Sequence, residues 1–144
     1  MARSPPVLCG QPMVVQTRQI MYPWLLTRLS HALPASDTFS ATATLFDCNG
    51  QPATGHLDGN RNVSGRPYLD GADGALYFFF DTLTIRTPGT WRIQVSISQF
   101  NASSVAQSRG TVMTAPICVV DQPVSYEEYP TDEVKQMADW FQYY

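Results

Sequence analysis

Trp91, Ile93, Val95 and Ile97 alternate without a break with Arg92, Gln94, Ser96 and Ser98. No other feature narrows the fold as much. Successive side chains of a strand point to opposite faces, so a period of two is what a sheet with one buried and one wet face requires. A helix would scatter the same apolar residues around its circumference. Phe39, Ala41, Ala43 and Leu45 repeat the pattern against Ser40, Thr42 and Thr44. Two such strands commit the chain to a sheet with a covered face. The 44% of hydrophobic residues supply one packed core, and 144 residues suit a single domain, since domains cluster near ~100–150 residues.

Other segments follow from local chemistry. Residues 1–12 carry Pro5, Pro6, Gly10 and Pro12 and read as a flexible lead-in. Met13 to Tyr22 is strand-like, with frequent β-branched residues. Trp24, Leu25, Leu26 and Leu29 form a helical turn or an irregular apolar bridge within 23–37. Asn49-Gly50 is a turn signal. Residues 49–74 hold six glycines and read as a long loop with one short strand near His56–Leu57. Leu76 to Ile85 is a strand, Thr87 to Thr90 a turn, and 101–110 a polar linker. Thr111 to Val120 is a strand that Pro116 assigns to an edge or bulge. Over 131–142 the period changes: Val134, Met137, Ala138 and Phe141 fall on one helical face behind Thr131, a good N-cap. The sum is an all-β, immunoglobulin-like sandwich over 13–144 with a C-terminal amphipathic helix.

Charge and motif content exclude more than they assign. The net charge is −3. Residues 1–120 hold eight Arg and six Asp, giving +2; residues 121–144 hold six acids against Lys135, giving −5. An acidic chain disfavours nonspecific nucleic-acid binding. No apolar run approaches the ~18 residues of a membrane span, and Pro23 to Leu26 is too short for a signal sequence. Secretion is therefore not expected, and Asn62-Val-Ser64 and Asn101-Ala-Ser103 are chance sequons. Cys9, Cys48 and Cys118 form no C-x-x-C pair and fit reduced intracellular thiols. No nucleophile elbow, P-loop or zinc-protease motif occurs. His31 and His56 read as surface histidines rather than bases beside Asp37 or Asp58. Asp70, Asp73 and Asp81 read as turn formers rather than a calcium loop. No catalytic residue, metal ligand or cofactor is assigned.

From Phe39 onward the chain resembles the velvet domain of fungal regulatory proteins. Asp70-Gly71-Ala72-Asp73-Gly74-Ala75-Leu76-Tyr77-Phe78-Phe79-Phe80-Asp81-Thr82-Leu83-Thr84-Ile85-Arg86 is similar to the family's D-G-x-x-G, aromatic strand and D-L-S-V-R segment. Thr87 to Ile97 is similar to its E-G-x-[YF]-R-L-R-F-S-L, and Ala115 to Val120 to its P-F-x-V-Y strand. Phe39 to Asp47 resembles its F-x-x-x-A-T-L strand, and Gln11 to Gln16 its P-P-P-I-V-Q-L. The resemblance implies a sandwich related to Rel-homology domains. It also implies homo- or heterodimers with another velvet-domain protein, and control of fungal development and secondary metabolism. DNA-binding members carry a basic segment before the P-P-P-I-V-Q strand; here Met1 to Gly10 offers Arg3 alone.

Two residue sets are candidates for function. Arg18, Arg61, Arg66 and Arg86 are the expected basic surface for weak DNA contact, direct or through a partner. Trp24, Tyr77 and Phe79 are the expected aromatics of a dimer contact or of a pocket for a small metabolite. Action is expected in the nucleus or cytoplasm.

Overall fold

The computed structural model describes residues 5–21, 24–30, 37–67, 75–103 and 105–124. The helix expected over 131–142, together with His31, Asp70 and Asp73, lies outside the described residues. Among the described residues there are twelve strands and no α-helix. In chain order they are β1 (Val7–Gly10), β2 (Val14–Gln16), β3 (Leu25–Leu29), β4 (Thr38–Phe46), β5 (Leu57–Asp58) and β6 (Asn62–Ser64). They continue with β7 (Arg66–Pro67), β8 (Leu76–Phe80), β9 (Thr84–Ile85), β10 (Gly89–Phe100), β11 (Ala106–Met113) and β12 (Ile117–Val120). A single 3-10 turn spans Thr54–His56.

One sheet has the order β1-β3-β8-β7 and the other β2-β12-β10-β4-β6, with β11 also on β10; β5 and β9 pair separately. The sheets curl into a half-barrel. Their facing sides form one main core. Leu25, Leu29, Phe78 and Phe80 come from the first sheet. Phe39, Ala41, Ala43, Leu45, Ile93, Val95 and Ile97 come from the second. β4 and β10 are therefore the strands their alternation predicts, paired antiparallel from Thr38↔Phe100 to Phe46↔Arg92. Thr114–Pro116 separate β11 from β12, as Pro116 requires. Buried Thr114 spans the break: its hydroxyl accepts from Ile93 N–H at 2.9 Å and its own N–H donates to Ile93 C=O at 2.9 Å.

Several expectations are corrected. Val7–Gly10 is not lead-in but strand, bulged between Leu8 and Gly10. Its prolines flank the strand, so every N–H within it survives for pairing. The strand expected over 13–22 stops at Gln16, where the chain turns through Arg18 at φ 61°. Leu25–Leu29 is a strand, not a helical turn. Its neighbours β1 and β8 flank it, and Leu25, Leu26, Thr27 and Leu29 are all buried. A strand covered on both faces loses the alternation that would reveal it.

The segment 76–85 is two strands parted at Asp81–Leu83, and β10 begins at Gly89, inside the expected turn. The polar linker over 101–110 holds the start of β11, a wet edge strand whose Ala106, Gln107 and Ser108 are exposed. A bulge against Ile97–Ser98 makes Arg109 the extra residue. Arg109 is buried, donates to Gln99 Oε1 at 2.9 Å and sits 5.6 Å over the Phe39 ring, while Gln99 donates to Asp37 at 2.7 Å.

Candidate functional site

The described part of the long glycine-rich segment is not a plain loop. It carries the chain from one sheet to the other. β5 pairs β9 at its start, β6 pairs β4 of the larger sheet, and β7 pairs β8 of the smaller one. Gly65 stands at the crossing and donates its N–H to Phe39 C=O at 3.0 Å. A Cβ there would come within 3.0 Å of the Phe78 ring, so only glycine lets the crossover lie this close to the core.

Three of the four candidate arginines, Arg18, Arg61 and Arg86, act on one carboxylate of this crossover, Asp58, while Arg66, in β7, stands opposite Tyr77. Arg61 and Arg66 belong to it. Arg86 reaches it through a two-point contact with Asp58, its Nε 2.9 Å from Oδ2 and its Nη2 on Oδ1. Arg18 stands close enough to act on the same carboxylate, its N–H donating to Ile85 C=O at 2.9 Å. An arginine in the left-handed region costs about 1 kcal/mol relative to glycine. Among the described residues Asp58 accompanies Arg18, Arg61 and Arg86, and Asp81 shares a groove with Arg66.

Asp58 titrates below its ordinary 3.8, chiefly because Arg86 hydrogen-bonds its charged form; desolvation opposes this, and the fields of Arg86, Arg61 and Arg18 each add a smaller lowering. Arg86 is raised in turn by the same bond. A carboxyl held low in the folded state adds stability above its unfolded pKa and loses it as pH falls through the folded one. Arg86→Gln is therefore expected to move the Asp58 titration, followed by NMR, upward toward 3.8 and to flatten the acid limb of stability below that pH. The pair is exposed on both sides, so its effect near neutral pH is small.

The candidate aromatics also come together, on the other side of β8. Tyr77 and Phe79 alternate with the core residues Phe78 and Phe80 and join Trp24, Leu26, Ala75 and Cys9 in a second cluster. The Trp24 and Phe79 rings lie 5.4 Å apart at 60°. The two candidate sets meet at the β7–β8 edge. There Phe79 and Arg66 line a groove of about 420 Å³ with Asn60, Asn62, Ser64 and Asp81. Sequence reasoning missed Asn60, Asn62 and Ser64, because nothing in an Asn- and Gly-rich stretch announces a short strand facing an aromatic one. Asp58 as the partner of Arg86 was equally hidden by 28 residues of separation.

The His56 ring bonds to neither carboxylate weighed for it. Its Nδ1 lies 2.7 Å from Thr87 Oγ1, and its ring lies 5.4 Å from that of Trp91, tilted by 33°; the Trp91 Nε1–H donates to Thr87 C=O. Asp37 instead accepts from Gln99. Among the described residues no three His, Cys, Asp or Glu side chains converge as a metal site, and no helix is long and apolar enough to cross a membrane. The three cysteines are free thiols. Compared with models of known families and with curated proteins, the chain matches neither a family nor a relative.

Proposed function

We propose that the chain is an immunoglobulin-like, velvet-like regulatory domain. It acts by pairing with a second copy or with another velvet-domain protein, and its output is transcriptional control of fungal development and secondary metabolism in the nucleus. The observation that carries this reading is strand order. With the short strands β2, β5, β6 and β9 left out of the lettering, β1, β3, β4, β7, β8 and β10 become A to F, and the sheet β1-β3-β8-β7 has the order A-B-E-D. The facing sheet places β10 between β4 and the β11–β12 edge, the C-F-G arrangement. Those core strands follow the A-B-E-D and C-F-G orders of immunoglobulin-type sandwiches, which supports this reading. The regulatory half of the reading rests on the resemblance across 70–86 and 87–97. Closed two-fold dimers are the commonest soluble homo-oligomers. Light scattering at micromolar concentration is expected to give twice the mass of the chain. A monomeric mass, with no association on mixing with a purified velvet-domain protein, overturns the pairing.

DNA contact, direct or through the partner, falls to the arginine edge. Arg86 is engaged by Asp58, so of the four arginines a monomer turns three at most to phosphates. Each phosphate neutralised adds about −0.9 to the slope of log K against log salt. The expected slope is about −3 or shallower, with no submicromolar sequence-selective complex from the isolated protein. A nanomolar, steeply salt-dependent complex lost in Arg61→Ala/Arg66→Ala would show DNA to be a primary ligand.

A further inference from the structure

We propose that the groove at the β7–β8 edge is a binding site for a neutral saccharide unit, a function independent of pairing. Its volume of about 420 Å³ falls in the roughly 300–1,000 Å³ range of small-molecule sites. One wall is the Phe79 ring, set by β8 and by its contact with Trp24. A ring fixed in this way offers a flat apolar surface to the C–H face of a sugar.

The rim supplies the polar half. Asn62 Oδ1 accepts from the Thr42 hydroxyl at 2.6 Å, and Asn60 Oδ1 accepts from Asn62 N–H at 3.3 Å. Each amide oxygen keeps a second lone pair, so each asparagine offers a ligand NH2 donors and one further acceptor site. Asp81, exposed at the mouth, offers only acceptors; Ser64 offers both roles. A sugar hydroxyl donates and accepts at once, so a rim mixing NH2 donors, a carboxylate and a hydroxyl matches a run of hydroxyls. Charge selects among ligands. Arg66 and Asp81 balance, so the two charged side chains give the lining no net field that would favour an anion or a cation. The ligand that meets no penalty is uncharged.

The platform is fixed by pairing rather than by loop conformation. Asn62 sits opposite Thr42 in β4, Arg66 opposite Tyr77 in β8, and Asn60 N–H is held by Thr82 Oγ1 at 2.9 Å. Such support is what a preorganised site needs.

The test is a titration of the whole ¹⁵N-labelled chain with the methyl glycosides of glucose, mannose and galactose, and with maltotriose and cellotriose. AMP serves as the charged comparison. The expected result is saturable shifts at Asn60, Asn62 and Ser64 with at least one neutral sugar at millimolar Kd, and none with AMP. Asp81→Asn and Asn60→Ala, both at exposed positions, are each expected to weaken that binding about tenfold, the effect of losing one good hydrogen bond, while leaving the rest of the spectrum in place. No saturable shift with any sugar overturns the proposal. So does sugar binding unchanged in both variants, or AMP saturating the groove.

Discussion

Truncating Ile93 to alanine is expected to cost about 2–5 kcal/mol of folding stability, from lost burial and the cavity left behind. Ile93 is 0% exposed and lies midway along β10, the strand that both β4 and the β11–β12 edge depend on. Its backbone is fixed on both sides, by Leu45 across β4 and by Thr114 across the strand break. With backbone movement so restricted, the core collapses poorly around a missing side chain, which favours the upper part of the range. Gln94→Ala is the control. Its side chain points to the opposite face, is only half-buried and joins no core cluster, so the cost is about 0.5 kcal/mol or less. Urea titrations with unchanged m-values measure both. Equal losses would mean that the two faces of β10 are energetically alike, against the alternation on which the fold rests.

The same alternation marks what the sequence makes legible. β4 and β10 each have one dry and one wet face, and their period of two survives in the residues. β3 is apolar on both sides and imitates a helical turn. β11 is exposed along its first three residues, as an edge strand is, and imitates a linker. Arg109 faces inward only because a bulge shifts the register, and a bulge has no reliable composition. β5, β6 and β7 are two or three residues long, too short for any period to be counted. For the site, the residue types were readable and their meeting was not. Arg18, Arg61 and Arg86 are drawn to one carboxylate by pairings between distant segments. The groove exists because β6 and β7 belong to different sheets.

Gly59→Ala is expected to be as damaging as a core truncation, about 2–4 kcal/mol, although the residue is exposed. Two costs add. Gly59 has φ +99°, a conformation that L side chains rarely adopt, worth ~1–3 kcal/mol by itself. The new Cβ would also overlap the Thr82 carbonyl oxygen, come 2.7 Å from its carbon and 3.1 Å from Leu83 Cα. All three atoms are backbone, so no rotamer change relieves the overlap. The chain must shift between β8 and β9, where Leu83 is buried and its C=O accepts from Met21 N–H at 3.0 Å. Gly50 separates the two costs. It also has positive φ, +78°, but nothing lies within 4 Å of its Cβ position. Gly50→Ala therefore carries the conformational cost alone, about 1 kcal/mol. Moving Thr82 also disturbs the hydroxyl that holds Asn60 N–H. The Gly59 variant should thus show altered amide shifts along 60–66 even below its melting temperature, while the Gly50 variant should not. Equal stability losses in the two variants would mean that the 81–83 segment yields at no cost, and that the crossover is not held against β9 by close backbone contact.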